Sequence, residues 1–138
     1  MNYWLIKSEP GAWSWDDQMA SPKKTTNWDG VRNAQATNNL KAMKKGDRCL
    51  FYHSVSAKSV VGIVEVVKTF YLDERDETGR FGQVDIKAVK PFKQPVTLAE
   101  IKAEKSLQDI ALIRQSRLSV MPLPAAAYKK ICQMGKTS

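Results

Sequence analysis

The stretch RCLFYHSVSAKSVVGIVEVV, residues 48–67, decides the class of fold. Its first part, residues 48–54, alternates side chains in the manner of a strand with two distinct faces. The two faces would carry Cys49, Phe51 and His53 against Leu50, Tyr52 and Ser54. Residues 60–67 predict a longer strand because most of them are β-branched. Within it, Gly62 marks either a bulge or the close approach of a neighbour.

Three further segments outside this stretch are predicted as strands. Residues 3–8 are rich in aromatic and aliphatic side chains and stop before Pro10, which favours an extended residue ahead of it. Residues 83–89 alternate apolar and charged side chains, as a half-buried strand does. Residues 117–123 are predicted as the last strand. The polar residues 21–27 are predicted as a loop, and the charged segment at 72–80 as a turn.

Helices are predicted between these strands. One begins near Asn33, because Ala36, Leu40 and Met43 recur at the spacing of one apolar helix stripe, and Gly46 suits its C′ position. The other signals are capping boxes at Ser14 with Asp17, Thr97 with Glu100 and Ser106 with Asp109, and Pro124 opening a last helix that ends near Gly135.

Together these elements predict a single domain over residues 1–138. Short strands with helices inserted near one end indicate the α+β class, built on a small, mostly antiparallel β-barrel with flanking helices. A chain of 138 residues suits one such domain.

The charge of the chain favours an anionic partner. The sequence has 22 Lys and Arg against 14 Asp and Glu, for a net charge of +8. Residues 1–69 hold 10 basic and 6 acidic groups, and residues 70–138 hold 12 and 8, so each half contributes +4. Charge spread over the fold in this way points to nucleic acid, although solubility explains it equally well.

Several kinds of chemistry lack their motifs in this sequence. There is one histidine, no Cys-x-x-Cys, no P-loop, no dinucleotide-binding glycine motif and no G-x-S-x-G, so neither a metal site nor a cofactor is expected. Cys49 and His53 would lie about 13 Å apart along one strand, too far for a dyad. A cysteine or serine elsewhere could still meet His53 in space. We expect no enzyme activity.

The expected compartment is the cytoplasm. The first residues form neither a signal peptide nor a basic leader, and no apolar run approaches the roughly 20 residues that span a membrane. Cys49 and Cys132, the only cysteines, are therefore expected to be reduced.

The side chains that remain suit the binding of a planar base. Aromatic rings stack on a base, amides read its edge, and Lys or Arg contact phosphates. Core packing is the alternative for all four tryptophans, and Trp28 is the expected exception because it abuts an Asp-Gly turn and Arg32-Asn33. His53 is predicted either as a structural histidine or as a pocket residue. A solvated strand face is the alternative for Arg117 and Ser119.

Six stretches in order resemble the signature blocks of the EVE domain family. They are YWLIKSEP (3–10), WDGVRNAQATNNL (28–40), GDRCLFYHS (46–54), VVGIVEVV (60–67), PVTLAEIK (95–102) and LIRQSRLSVMPL (112–123). The resemblance implies a PUA-like fold related to RNA-binding PUA domains and methyladenine-reading YTH domains. It also implies a non-enzymatic reader of a modified nucleobase, notably methylated or hydroxymethylated cytosine in DNA, with a modified base in RNA or general RNA binding as alternatives.

The resemblance further implies which residues line the base pocket. Trp28 would supply a stacking wall, and Asn33 the edge-reading side. The whole set is Lys7, Ser8, Trp28, Val31, Arg32, Asn33, Phe51, Tyr52, His53, Ser54, Arg117, Leu118 and Ser119. Four basic residues are predicted to hold flanking phosphates, with a solvated helix end as the alternative. These are Lys41, Lys44, Lys45 and Arg48.

Two departures from the signature blocks concern the rim of this pocket. Ala34 stands where the family commonly has an aromatic residue. The segment before residue 83 is short, with Phe81 where the family often has a tryptophan. Both bear on ligand preference and leave the predicted fold unchanged.

Overall fold

The computed structural model describes residues 1–28, 33–54, 58–72, 74, 77, 79 and 81–137. Within these ranges, its strands are β1 (Tyr3–Ser8), β2 (Thr25–Trp28), β3 (Arg48–His53), β4 (Ser59–Leu72), β5 (Gly82–Thr97) and β6 (Val120–Leu123). They form one sheet in the order β2-β5-β4-β3-β1-β6. The pairing of β1 with β3 is parallel, and the other neighbouring pairs are antiparallel. The predicted α+β class is confirmed.

The predicted strands are present, but some of their limits differ. β1 has the predicted bounds, whereas β4 and β5 extend well beyond theirs and β6 is shorter. The loop predicted at residues 21–27 was wrong, because a short 3₁₀ helix, Pro22–Lys24, leads there into β2. The β2 segment TTNW is mostly polar and gives little apolar signal. Its extended form is stabilised by antiparallel pairing with β5.

The helices are α1 (Trp15–Ala20), α2 (Ala34–Ala42), α3 (Leu98–Ala103), α4 (Ala111–Arg114) and α5 (Ala125–Met134). Two of the predicted capping boxes, at Ser14 of α1 and Thr97 of α3, are confirmed. The box predicted at Ser106 was wrong, since Glu104 caps a 3₁₀ helix there instead. Pro124 was predicted as the first residue of the last helix. It is instead the N-cap residue of α5, which begins at Ala125.

Helix α2 begins and packs as the sequence predicts. The side chain of Asn33 accepts a hydrogen bond from the N–H of Ala36 over 3.0 Å, which caps the first turn. The stripe of Ala36, Leu40 and Met43 is buried. The amide of Asn39 donates to the carbonyl of Val120 over 2.7 Å and fixes α2 against β6. The helix ends at Ala42, so the C′ role predicted for Gly46 was wrong.

The sheet is strongly curved. Trp28 of β2 and Phe51 of β3 have ring centroids 5.7 Å apart, although β5 and β4 lie between their strands. Three strand spacings in a flat sheet would separate them by about 14 Å. The curvature therefore places both rings inside one concave face. In the strand order, β2 and β6 stand at the two ends, and closure of the sheet into a barrel stays a prediction.

Two general properties follow from the described ranges. None of their helices has the length and the apolar character that crossing a membrane requires. Both Cys49 and Cys132 are buried free thiols.

Candidate functional site

Four rings form an aromatic cluster on the concave face of the sheet: Trp15, Trp28, Phe51 and His53. Phe51 is fully buried at its centre. Its ring centroid lies 5.4 Å from that of Trp15, 5.7 Å from that of Trp28 and 5.7 Å from that of His53. The interplanar angles of 72–76° are those of edge-to-face contacts. Such contacts satisfy the quadrupoles of the rings and fix their directions.

His53 is held as a neutral imidazole at the edge of this cluster. Its Nε2 accepts the backbone N–H of Trp15 over 3.0 Å, which requires that nitrogen to be unprotonated. Burial lowers the pKa of His53, and the negative charge of Asp16 only partly opposes this. The lone pair of Nε2 is therefore already engaged, and the bond fixes the orientation of the His53 ring.

Trp15 packs its ring on the backbone of Gly62 in β4. A Cβ added to Gly62 would lie 2.4 Å from Cη2 of Trp15, so only glycine fits beneath the ring. The pairing of β4 with β5 shifts register between Val60 and Gly62, so a strand irregularity is present at the same place. Both interpretations of Gly62 from the sequence are confirmed.

Ser8 and Ser54 lie beside the cluster where β1 and β3 end. Because these strands are parallel, their carboxyl ends meet at one edge, and Ser8 pairs with His53 in register. The N–H of Ser54 donates to the carbonyl of Ser8 over 2.8 Å. The hydroxyl of Ser8 donates to the carbonyl of Trp13 and keeps its oxygen lone pairs as acceptors.

The sequence did not assign Trp15 to the site, nor two further residues on this side, Trp13 and Gln18. Gln18 is fully buried, and its Oε1 accepts the indole N–H of Trp13 over 2.9 Å. Its Nε2 donates to the carbonyls of Lys24 over 2.9 Å and Ile86 over 3.4 Å. The capping box of α1 was the available signal, because it places Trp15 and Gln18 three residues apart on one helix face.

Lys7 and Tyr52 lie on the other face of the sheet. Side chains alternate along a strand, so these two point away from their neighbours Ser8 and His53. The ammonium of Lys7 is 5.9 Å from the ring centroid of Tyr52 and donates to the carbonyl of Ser116 over 2.7 Å. Burial lowers the pKa of Lys7. The structure therefore divides the predicted pocket set between two faces.

The remaining predicted pocket residues have separate placements. Leu118 is buried and Arg117 is exposed. The carbonyl of Ser119, beside them, accepts the N–H of Lys7 over 2.9 Å, which continues the pairing of β1 with β6. The side chain of Asn33 is engaged as the cap of α2. Val31 and Arg32 lie outside the described residues.

The predicted phosphate contacts are at the opposite end of β3 from His53. Arg48 and His53 are its first and last residues, so their Cα atoms are separated by about 16 Å along the strand. Lys44 and Lys45 are exposed and precede Arg48 in a turn. The ammonium of Lys41 lies 5.4 Å from the ring centroid of Phe70. The structure does not bring these groups next to His53.

A cavity of about 410 Å³ also lies at that far end, beside the start of β1. It is lined by Met1, Asn2, Tyr3, Trp4, Pro122, Leu123, Pro124 and Ala125. None of the predicted site residues belongs to this lining.

The two departures from the signature blocks lie at the start of α2 and directly before β5. Ala34 is the exposed first residue of α2, directly after Asn33. Phe81 is half-buried and directly precedes β5, in which Val84 pairs with Trp28.

In the described part of the chain, no group of three or more His, Cys, Asp or Glu residues is placed to hold a metal ion. Cys49 is fully buried, and burial, with the charge of Asp47, raises the pKa of its thiol far above the ordinary value. A thiol in this state is a poor nucleophile.

Comparison with known proteins identifies relatives over almost the whole chain. The sequence model of the EVE domain matches residues 2–134. Thymocyte nuclear protein 1 of Rattus norvegicus is 36% identical, with 96% of this chain and 73% of that protein covered.

Solved structures superpose closely on the fold. Rpa0253 from Rhodopseudomonas palustris has a TM-score of 0.93 at 50% identity, covering 99% of this chain and 94% of that one. The human THYN1 protein, solved in complex with 5-methylcytosine containing DNA, has a TM-score of 0.91 at 32% identity, covering 100% and 99%. The MmI1 YTH domain, at 16% identity and a TM-score of 0.59 over 97% and 94%, is similar in fold alone.

Proposed function

The chain belongs to the EVE domain family, and from this membership we propose that it binds nucleic acid and reads a modified base, with 5-methylcytosine in DNA as the leading ligand. The observation that carries the proposal is the likeness to human THYN1, a protein solved with 5-methylcytosine containing DNA. The aromatic cluster and the strand ends beside it offer the chemistry that such a base needs.

The base enters the cluster after leaving its stack. Unstacking costs a few kcal/mol, and one base–aromatic stack returns about 1–3 kcal/mol. Phe51 is fully buried, Trp28 is 9% exposed, and the two rings meet at 75°, so they form a wall that the base approaches. The base stacks on a ring face at the rim of this wall. The rings are already fixed by edge-to-face contacts, so little ordering is needed when the base arrives.

Polar groups at the ends of β1 and β3 read the edge of the base. The Ser8 hydroxyl donates to the carbonyl of Trp13, and its oxygen would accept from an exocyclic amino group such as that of cytosine. Asn33 and Arg32 are the further edge-reading groups we propose. The extra methyl group of 5-methylcytosine gains about 0.8 kcal/mol from apolar contact, roughly a fourfold preference.

The phosphates of the strand bind the basic surface. A net charge of +8 supports affinity that falls steeply with salt. Because Arg48 is about 16 Å from His53 along β3, we assign Lys41, Lys44, Lys45 and Arg48 to phosphates beyond those that flank the bound base.

We propose binding without catalysis. The Nε2 of His53 is occupied by the N–H of Trp15, which leaves it poorly placed to take a proton from a nucleophile. The thiol of Cys49 is fully buried.

Titration of matched oligonucleotides tests the proposal. Single-stranded and duplex DNA, and RNA, each with one cytosine or one 5-methylcytosine at the same position, are titrated across a range of salt concentrations. We expect about fourfold tighter binding of the methylated DNA at every salt concentration. Equal affinity for all strands, erased by salt, would contradict a reader. Tight binding of unmodified RNA alone would instead indicate a general RNA-binding module.

A second measurement extends the test to other modifications. The protein is used to retain strands from digested cellular DNA and RNA, and the retained nucleosides are identified by mass spectrometry. Enrichment of one modified nucleoside over its unmodified parent supports the proposal and names the base. Retention of nucleosides in their input proportions contradicts it.

A further inference from the structure

A ring that stacks on an incoming base must present part of its face before the base arrives. The structure describes all four tryptophans, and three of them are buried: Trp4 is 5% exposed, Trp15 7% and Trp28 9%. Trp13 alone among the four is half-buried, and it packs against the core from the outside. Trp13 is therefore the most accessible of the four indoles, whereas Trp28 belongs to the buried core.

The backbone of Trp13 is tied directly to the predicted pocket. Its carbonyl accepts the hydroxyl of Ser8, which pairs in register with His53. Its N–H donates to the carbonyl of Glu9 over 2.9 Å, closing a turn directly after β1. Two residues later, the N–H of Trp15 donates to His53. These bonds hold Trp13 beside the edge where β1 and β3 end.

The indole is also held in one orientation. Oε1 of Gln18 accepts its N–H over 2.9 Å, and Gln18 is itself fully buried. The carboxamide cannot be reversed, because its Nε2 donates to the carbonyls of Lys24 and Ile86. A ring needed only for packing is usually fixed by burial. Here a buried amide also fixes a ring that is only half-buried, so the ring is ordered in advance of any ligand.

From these contacts we propose that Trp13 is the residue on which the base stacks, while the aromatic cluster forms the wall behind the base. The inference rests on the proposed function, because it assigns a role within the same site. It differs from the assignment implied by the resemblance, in which Trp28 is the stacking ring. Gln18 positions the indole and does not itself contact the base.

The test compares wild type with Trp13→Ala and Trp13→Phe on two strands, one with 5-methylcytosine and one with an abasic site at the same position. A base–aromatic stack of about 1–3 kcal/mol corresponds to about 5- to 150-fold in affinity. We expect Trp13→Ala to weaken binding of the base-containing strand by at least about fivefold, to leave the abasic strand unchanged, and to be largely restored in Trp13→Phe. Unchanged affinity for the base-containing strand, or an equal loss on both strands, would overturn the inference.

Tryptophan fluorescence tests the inference even if Trp13→Ala does not fold, because the measurement uses only wild type and Trp13→Phe. Stacking quenches indole emission, so wild type should be quenched more by the base-containing strand than by the abasic one, and Trp13→Phe should lose that difference. A difference that persists in Trp13→Phe overturns the inference.

These outcomes are separable from failure of the proposed function. Equal binding of methylated and unmethylated strands by wild type would contradict the proposed function as a modified-base reader. The comparison of the base-containing strand with the abasic strand would still decide whether Trp13 stacks on a base. If wild type prefers the methylated strand and Trp13→Ala binds as wild type does, only the inference about Trp13 fails.

Discussion

The backbone N–H of Trp15 donates a hydrogen bond to Nε2 of His53 over 3.0 Å. This bond joins the first residue of α1 to the last residue of β3. Since His53 is the only histidine of the chain, its titration can be followed without interference from another imidazole.

Acid is expected to destabilise the protein through His53. Burial lowers the pKa of His53 below its ordinary 6.5 in the folded state. Below that pH, the unfolded chain binds more protons at this residue than the folded chain does. The free energy of unfolding therefore falls as the pH drops through 6.5 towards the folded pKa. Urea unfolding between about pH 7.5 and pH 5.5 measures the slope, which His53→Gln should flatten. An unchanged slope in the variant would contradict this assignment.

Gly62→Ala is expected to destabilise the protein by about 1–3 kcal/mol. The added Cβ would lie 2.4 Å from the buried ring of Trp15, which must move and disturb its contact with Phe51. Gly11→Ala is the matched control, because nothing lies within 4 Å of a Cβ at that position. Chemical unfolding of the two variants measures the difference. Equal stability of the two would show that the ring of Trp15 does not need Gly62.

Asp47→Asn is expected to lower the free energy of unfolding by about 1–3 kcal/mol. The buried carboxylate accepts the indole N–H of Trp4 and the backbone N–H groups of Asn2 and Lys44, all within 3.1 Å. Burial alone would raise the pKa of Asp47, but these bonds outweigh it and lower that pKa. The side-chain amide of Asn has one oxygen and one NH₂ group, so it would place a donor opposite at least one of these N–H groups.

Asp109→Asn is the control for Asp47→Asn. Asp109 pairs with Arg114 over 2.9 Å, but its side chain is 88% exposed and that of Arg114 68%. An exposed pair contributes at most about 1 kcal/mol, so this variant should unfold much as wild type does. A loss as large as that of Asp47→Asn would show that burial does not explain the difference.

Trp28→Ala and Trp13→Ala are expected to separate stability from binding. Trp28 is 9% exposed and contacts Phe51, so its removal should cost about 3–5 kcal/mol of stability. Trp13 is half-buried, so its removal should cost less, about 1–3 kcal/mol, chiefly because Oε1 of the buried Gln18 loses its donor. Thermal and urea unfolding measure both. A larger loss for Trp13→Ala would contradict the burial that distinguishes the two rings.

Replacing Lys44 and Lys45 together by Gln is expected to reduce the salt dependence of DNA binding. Each phosphate that a lysine no longer neutralises lowers the slope of log affinity against log salt by about 0.9. The preference for a methylated base should stay unchanged, because these lysines lie at the far end of β3 from His53.

The double variant of Lys93 and Lys129 to Gln removes the same charge from β5 and α5, which carry no predicted phosphate contact. A slope equal to that of the Lys44 and Lys45 variant would show that only net charge matters.

Where local chemistry decides an element, the sequence was sufficient. The cap at Asn33 and the stripe through Ala36 and Leu40 fixed the start and the buried face of α2. β2 could not be predicted in the same way. Its polar Thr25 and Thr26 become a strand because β5 supplies the pairing, and β5 lies some sixty residues later: Thr25 pairs with Lys87.

In the candidate site too, local sequence predicts some features, and others depend on the path of the chain. The alternation in β3 was sufficient to put Phe51 and His53 on one face, which the structure confirms. Applied across β1, the same rule separates Lys7 from Ser8, so a pocket assembled by motif alone mixed residues from two faces. The bond from Trp13 to Gln18 depends on the path of the turn between β1 and α1, and neither composition nor spacing reports that path.

The position of β1 has a consequence for the order in which the chain can fold during synthesis. β1 is made first, yet it lies between β3 and β6, and β6 begins at Val120. Until that residue has left the ribosome, one edge of β1 has no strand partner. An unpaired edge is a template for pairing with other chains. The edge of β1 therefore stays open to pairing with other chains until β6 is available, and completion of the sheet, more than helix formation, closes it.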